Sequence, residues 1–156
     1  MQTAFIKTPL GTAKIVGDEN GIAGISILEE GAVSKEIPVA LVETVTQLQD
    51  YFNGKRNEFN IKINPSGTEF QRKVWNELLN ISFGKTMSYL DLSKKLGDVK
   101  AIRAVASANG KNPLWIVIPC HRVIGSDGSL TGYAGGLWRK KWLLEHENPT
   151  NQLSLF

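Results

Sequence analysis

The chain has 156 residues, of which 42% are hydrophobic and 21% charged, and its formal net charge is +3. This composition is normal for a globular protein of one ordinary domain or two small ones, and no apolar run is long enough to cross a bilayer. The single cysteine excludes an intrachain disulfide, and with only two histidines it excludes a thiolate-rich structural zinc site. The first residues show no signal-peptide pattern, so we expect a cytoplasmic protein whose cysteine stays a free thiol.

Three short β-rich runs come first along the chain, at residues 4–8, 13–16 and 22–27. An Asn-Gly pair at positions 20 and 21 predicts a hairpin between the second and third. Leu41, Val45, Leu48 and Phe52 then follow helical spacing, and Asn53-Gly54 ends this predicted helix. Residues 59–63 alternate as a half-buried strand would, and the turn signals after Asn64 predict a domain boundary there.

The second half is predicted to be mostly helical. Thr68 and Gln71 have the spacing of a capping box, followed by an apolar stripe at Phe70, Val74, Leu78 and Ile81. Ser88 begins a second helix that Gly97 ends, and residues 100–108 form a third that is rich in small residues. Two short helices around Gly97 are typical of a helix-turn-helix, although any packed helix pair has this pattern. A buried strand at 114–118, a glycine-rich loop at 125–136 and a closing helix at 137–147 complete the prediction.

Charge divides unevenly between the halves. Residues 1–64 carry six Lys/Arg against eight Asp/Glu, and residues 65–156 carry twelve against seven. The basic half indicates an anionic partner, although the excess is modest and alone decides little.

The only cysteine lies in the segment I118-P-C-H-R-V-I-G125. A lone cysteine is usually a small buried hydrophobic residue, and a reactive one needs a base or a positive field to form its thiolate. His121 is adjacent, but neighbours on an extended strand point to opposite faces, so contact with Cys120 is not guaranteed. The residues alone leave both packing and chemistry open.

Together with L130-T-G-Y-A-G-G-L137, W142-L-L-E-H-E147 and Gly110-Lys111-Asn112-Pro113, this segment closely resembles the O6-alkylguanine-DNA alkyltransferases. The resemblance covers Thr68 to Glu147 well and the first 64 residues loosely. It implies an α+β fold, in which a small N-terminal α/β domain (ribonuclease H-like, 1–64) precedes a mostly helical domain with a helix-turn-helix (65–147). Residues 148–156 are then expected to form a flexible tail.

The resemblance implies a DNA repair protein, a methylated-DNA–protein-cysteine methyltransferase. Such a protein transfers an alkyl group irreversibly from guanine O6, and less surely from thymine O4, in double-stranded DNA to its own cysteine, here Cys120. We expect no cofactor, because the damaged base is the donor, and we expect a monomer. In the family the histidine acts as base through a water and a glutamate orients it, which gives His121 and Glu147 these roles. Asn112 would brace the turn before the cysteine, and Lys140 would lie near the site.

The same resemblance assigns three DNA-binding residues. Arg103 would fill the gap left by a flipped base, with its small-residue helix in the minor groove. Tyr89 would crowd the target phosphate and donate to guanine N3, and Tyr133 lies in the loop that would wall the base pocket. Taken singly, each has an ordinary alternative: an exposed helix arginine, a hydrophobic contact and a flexible loop.

The last five residues, Gln152, Leu153, Ser154, Leu155 and Phe156, resemble the short peptide by which bacterial repair proteins bind the sliding clamp. Docking on the protein's own surface is the alternative. For the whole chain the competing functions are a non-reacting alkyl-lesion-binding protein and a Cys-His hydrolase. The presence of Cys120 argues against the first, and the DNA-binding helices argue against the second.

Overall fold

A computed structural model describes residues 1–133 and 135–149. The chain forms two compact units, one of residues 1–66 with 113–115 and one of residues 67–112 with the chain from 116 onward. The first unit therefore also contains Pro113–Trp115, a segment that a single boundary at residue 64 assigns to the second unit. Within the described residues, no helix is both long and apolar enough to span a membrane.

The first unit contains an antiparallel sheet of three strands in chain order, β1 (Gln2–Thr8), β2 (Gly11–Asp18) and β3 (Gly21–Leu28). The three predicted strands and the hairpin before Gly21 are confirmed, with Asp18 paired to Gly21 across the turn. Gly21 has φ +128°, and a Cβ there would lie 3.1 Å from the backbone of the 62–64 segment. Glycine is therefore required for both the turn and the close approach.

A 3-10 turn (Val39–Leu41) leads into helix α1 (Val42–Phe52), which ends at Asn53 as predicted. Leu41, Val45 and Leu48 are buried at the predicted spacing. Alternating inward residues of the sheet supply the rest of this core, among them Ala4, Ile6, Ala13, Ile15 and Ile25.

The strand predicted at 59–63 is wrong. This segment is irregular and makes one isolated bridge, between Ile63 and Ile22. The Gln47 side chain bonds both backbone groups of Asn60, accepting from its N at 2.9 Å and donating to its O at 3.1 Å. A side chain from α1 therefore satisfies the backbone that a strand partner would otherwise bond.

The described residues of the second unit form helices α2 (Glu69–Leu78), α3 (Tyr89–Lys95), α4 (Ile102–Gly110) and α5 (Leu137–Glu147). Strands β4 (Met87–Ser88) and β5 (Val123–Ile124) pair in parallel. The predicted capping box is present at Thr68 and Gln71, and Ser88 caps α3. On α2 the apolar stripe is partly wrong: Phe70 is 38% exposed, and Trp75 is buried in its place.

Helices α3 and α4 form the predicted helix-turn-helix. Gly97, with φ +90°, ends α3, and a 3-10 turn (Val99–Ala101) leads into α4. On α4 the buried residues are Val105, Ala108 and Asn109, while the opposite face is exposed and mostly small. Trp75 secures α4 to α2 by donating from Nε1 to the Ala108 carbonyl at 2.9 Å.

The strand predicted at 114–118 is also wrong, although the segment is buried as expected. Leu114 makes a single bridge to Ile25, and the chain then turns at Ile116, whose φ is +72°. A β-branched residue in the left-handed region is a genuine outlier, and it cannot continue a strand. The chain therefore enters the cysteine segment through a strained turn.

Candidate active site

Cys120 begins a 3-10 turn (Cys120–Arg122) that leads directly into β5. The expectation that it ends an extended strand is wrong, so strand alternation does not fix where His121 points. The Cys120 side chain is buried, and its backbone N donates to the Ile118 carbonyl at 2.8 Å. Burial raises the pKa of the thiol, while a hydrogen bond from Asn112 and the charge of Lys140 act in the opposite direction.

Two asparagines, one in the last turn of α4 and one just after the helix, hold the backbone around the cysteine. Asn112 donates from Nδ2 to the Ile118 carbonyl at 2.6 Å, and Asn109 donates from Nδ2 to the Cys120 carbonyl at 3.4 Å. Asn112 thus bonds the backbone two residues before Cys120. Asn109 was missed, because an Asn-Gly pair at a helix end is typical of an ordinary turn. Its near-complete burial, at 2% exposure, distinguishes it only once the fold is known.

His121 and Glu147 form a buried pair in which His121 Nε2 lies 2.7 Å from Glu147 Oε2. Because an ionised carboxylate only accepts hydrogen bonds, Nε2 carries the proton of the neutral ring and Nδ1 is the acceptor. Burial lowers the pKa of His121, and the charges of Arg122 and Lys140 lower it further against the opposing effect of Glu147. The imidazole is therefore neutral at pH 7 and able to accept a proton.

Arg122, which has no predicted role in the sequence, also bonds the carboxylate of this pair. It donates from Nε to Glu147 Oε1 at 2.7 Å and from Nη2 to Oε2 at 3.0 Å. Burial acts to raise the pKa of Glu147, but His121 and Arg122 together hold it well below its usual range. The available signal was a charged residue in a segment whose apolar neighbours, Ile118, Val123 and Ile124, predict burial, since a buried arginine requires a partner.

Lys140 is fully buried on α5. Its Nζ donates to the Val123 carbonyl at 2.6 Å and to the Thr131 carbonyl at 3.0 Å. Burial lowers its pKa to about 8, and Cys120 opposes this shift. The ammonium therefore joins the backbone of Val123 in β5 to that of Thr131 and adds positive potential at the thiol.

Arg103, Tyr89 and Tyr133 line one cavity of about 570 Å³ between α3, α4 and the 131–133 segment. Arg103 is exposed on α4, and Tyr89 is half-buried, with its hydroxyl 3.5 Å from the Thr131 carbonyl. Burial and the neighbouring Cys120 raise the pKa of Tyr89, so that it remains a protonated donor at neutral pH. The structure therefore gathers all eight predicted site residues in the second unit.

A thiol, a neutral imidazole and a carboxylate are groups that nucleophilic catalysis uses. A thiol can act as the nucleophile, an imidazole can accept its proton, and a carboxylate can hold the imidazole in one tautomer. In the parts of the chain that the structure describes, no group of three or more His, Cys, Asp or Glu side chains is placed to hold a metal ion.

Comparisons with known proteins cover nearly the whole chain. Residues 1–65 match the ribonuclease-like domain of 6-O-methylguanine DNA methyltransferase, and residues 69–149 match its DNA-binding domain. The methylated-DNA–protein-cysteine methyltransferase of Methanosarcina acetivorans is 42% identical over 94% of this chain and 98% of its own. The structure of Mycobacterium tuberculosis OGT in complex with DNA superposes with a TM-score of 0.88 at 40% identity, over 96% of this chain and 94% of that one. The O6-methylguanine methyltransferase structure from the same organism gives 0.85 at 38% identity, over 97% and 94%.

Proposed function

The chain belongs to the 6-O-methylguanine DNA methyltransferase family, and from this premise we propose that it repairs alkylated DNA by transferring the alkyl group from guanine O6 to Cys120. Transfer to the protein itself makes the reaction stoichiometric and irreversible. The compartment proposed is the cytoplasm, where Cys120 stays reduced, and the protein is proposed to act as a monomer.

One observation carries the assignment of the acceptor. The relatives are named for transfer to a protein cysteine, and this chain contains a single cysteine. The surroundings of Cys120 support the same choice: Asn112 and Lys140 counteract the effect of burial on the thiol, and a neutral imidazole follows it in sequence.

The chemical step is a displacement at the alkyl carbon. Neutral His121 takes the thiol proton through water, and its acceptor atom is Nδ1 because Glu147 holds Nε2. The Cys120 sulfur then forms a bond to the carbon as the carbon–O6 bond breaks, and the bonding electrons pass to the base. The base takes up one proton and becomes ordinary guanine, so the thiol proton replaces the lost alkyl group.

The target base must leave the stack to reach a buried thiol. Arg103, which is exposed on α4, would occupy the vacated position, and the small residues around it would allow the helix into a narrow groove. Tyr89 and Tyr133 line the same cavity and would contact the extruded nucleotide. The basic second half is consistent with contacts made chiefly to phosphates.

The deciding experiment is to incubate the protein with a duplex containing O6-methylguanine and to map the product by peptide mass spectrometry. We expect one methyl group on the Cys120 peptide, one equivalent per protein, and none with Cys120→Ser. Binding of the lesion by the wild type without labelling would instead favour a lesion-binding protein. Multiple turnover would favour a hydrolase.

The C-terminal peptide carries a second proposal, recruitment to replicating DNA by the sliding clamp. Its five residues, 152–156, lie outside the described residues, so the proposal rests on the sequence pattern Q-L-S-L-F alone. Purified clamp should bind the full chain and fail to bind a chain that ends at Asn151. Equal binding by both would remove the proposal, and unchanged methyl transfer by the shortened chain would show that its active site is intact.

A further inference from the structure

Glu147 is bonded more extensively to Arg122 than to His121. Arg122 Nε reaches Oε1 at 2.7 Å and Nη2 reaches Oε2 at 3.0 Å, whereas His121 contacts Oε2 alone, at 2.7 Å. The two-point guanidinium–carboxylate contact is the stronger and more directional of the two interactions. Much of the negative charge that would otherwise stabilise a protonated imidazole is therefore compensated by Arg122.

Contacts beyond Glu147 fix the Arg122 side chain in this position. Its Nη1 donates to the Ile81 carbonyl at 2.6 Å, and its guanidinium lies 5.9 Å from the centre of the Phe83 ring. Both partners belong to the loop between α2 and β4. Arg122 is 7% exposed, so its charge acts on its neighbours with little screening by solvent.

We infer that Arg122 is a positioning residue for alkyl transfer: it holds Glu147 against His121 Nε2 and keeps the imidazole unprotonated until the thiol proton arrives. The inference rests on the proposed function for its catalytic consequence. A carboxylate that acted on His121 alone would favour the imidazolium, which has no lone pair left to accept the thiol proton. With Arg122 present, Glu147 sets the tautomer without charging the ring.

The other charged groups around His121 agree with this balance. Glu147 and Lys140 both approach from α5, and Arg122 lies on the same 3-10 turn as His121. The two cations disfavour protonation of the imidazole, and the carboxylate favours it. Arg122 also contacts the carboxylate, so its removal changes both contributions together.

The test compares Arg122→Gln and Arg122→Lys with a control, Lys141→Gln, which removes a positive charge from the half-exposed surface of α5. The chain has two histidines, so the ¹⁵N resonances of His121 can be assigned with a His146→Gln variant and then followed against pH. We expect Arg122→Gln to raise the pKa of His121 by about one unit, the usual size of a nearby-charge effect. Arg122→Lys should raise it less, because a cation remains, and Lys141→Gln should leave it unchanged.

The single-turnover rate of methyl transfer, followed against pH, supplies the second readout. Its acid limb should move to higher pH with the pKa of His121, so that on acidification Arg122→Gln loses rate at a higher pH than the wild type does, by about the same one unit. A uniform loss of rate with no shift in pH would indicate a purely structural role and overturn the inference.

Folding of the variants is checked first by circular dichroism. If Arg122→Gln does not fold, Arg122→Lys decides: loss of the two-point contact should leave His121 as a mixture of tautomers, visible in its two ring ¹⁵N shifts. A folded variant with the wild-type pKa and the single Nε2–H tautomer refutes the inference. The titration requires no DNA, so absence of methyl transfer by the wild type would count against the proposed function and leave the role of Arg122 to be judged separately.

Discussion

Replacement of Glu147 by glutamine should destabilise the fold far more than the small chemical change suggests. The carboxylate accepts hydrogen bonds from His121 Nε2 and from Nε and Nη2 of Arg122, and the His121, Arg122 and Glu147 side chains are all buried. Glutamine keeps the shape, but it removes the charge and places an NH₂ group against donors. Leaving one member of a buried ion pair without its partner costs about 3–5 kcal/mol, a large part of the roughly 5–15 kcal/mol that stabilises a typical domain.

Glu145→Gln is the matched control. It makes the same substitution two residues away on α5, where Glu145 and Lys141 form a half-exposed pair at 3.7 Å. Exposed pairs contribute at most about 1 kcal/mol. Urea unfolding followed by tryptophan fluorescence measures both variants, with unchanged m-values as the test of comparability. Equal effects of the two substitutions would refute the reasoning from burial.

The pH dependence of the stability difference between the wild type and Glu147→Gln provides a further check. The pKa of Glu147 lies well below its usual range in the folded chain, so its contribution is complete above the unfolded pKa of about 4.3 and is lost only as the pH falls further. The gap between wild type and Glu147→Gln should therefore persist from about pH 7 to about pH 5. A gap that closes within that range would mean that the carboxylate is not held in its charged form.

Three shorter predictions concern other parts of the site. Asn112→Ala removes the donor to the Ile118 carbonyl and should cost about 1 kcal/mol in urea unfolding while slowing methyl transfer; an unchanged rate would show that the turn needs no brace. Arg103→Ala removes an exposed side chain, so it should change the unfolding free energy by less than about 0.5 kcal/mol while weakening DNA binding in fluorescence anisotropy. Since burial lowers the pKa of His121, the unfolded chain takes up its proton first, and stability should fall as the pH drops below about 6.5. His121→Gln should flatten this dependence and His146→Gln should retain it; parallel curves for the two would argue against a buried neutral imidazole.

Local signals predicted most of the fold, and long-range contacts account for the errors. The capping box at Thr68 and Gln71 could be identified because its partners lie three residues apart, and the strands of the first sheet because alternation and turn residues are local features. The segment at 59–63 alternates correctly in burial, but the Gln47 side chain bonds its backbone. Nothing in the pattern of residues 114–118 signals a left-handed Ile116, because that conformation is imposed by the surrounding structure.

The prediction of the site shows the same difference between local signals and long-range contacts. The motif around Cys120 and His121 was identifiable as a contiguous segment, and the resemblance added Glu147 from a second segment 26 residues away. The contacts of Arg122 could not be read from the sequence, because they join three separate segments, at residues 81, 122 and 147. Motifs therefore identified the groups that would react, while the groups that hold them in place became visible only with the fold.

The raised pKa of Cys120 has a consequence for a protein that uses its acceptor once. A thiolate exposed to solvent would react with any small electrophile or oxidant, and with one cysteine per chain each such event would inactivate the molecule. Burial keeps Cys120 as a thiol at rest, while Asn112 and Lys140 limit the free energy needed to ionise it. Such a thiol reacts fast only with an electrophile held against it, next to a base that accepts the proton. Burial thus slows unwanted reactions of Cys120. In the proposed mechanism, selectivity for the alkylated guanine then comes from how the proton-accepting residue is positioned, and not from the intrinsic reactivity of the sulfur.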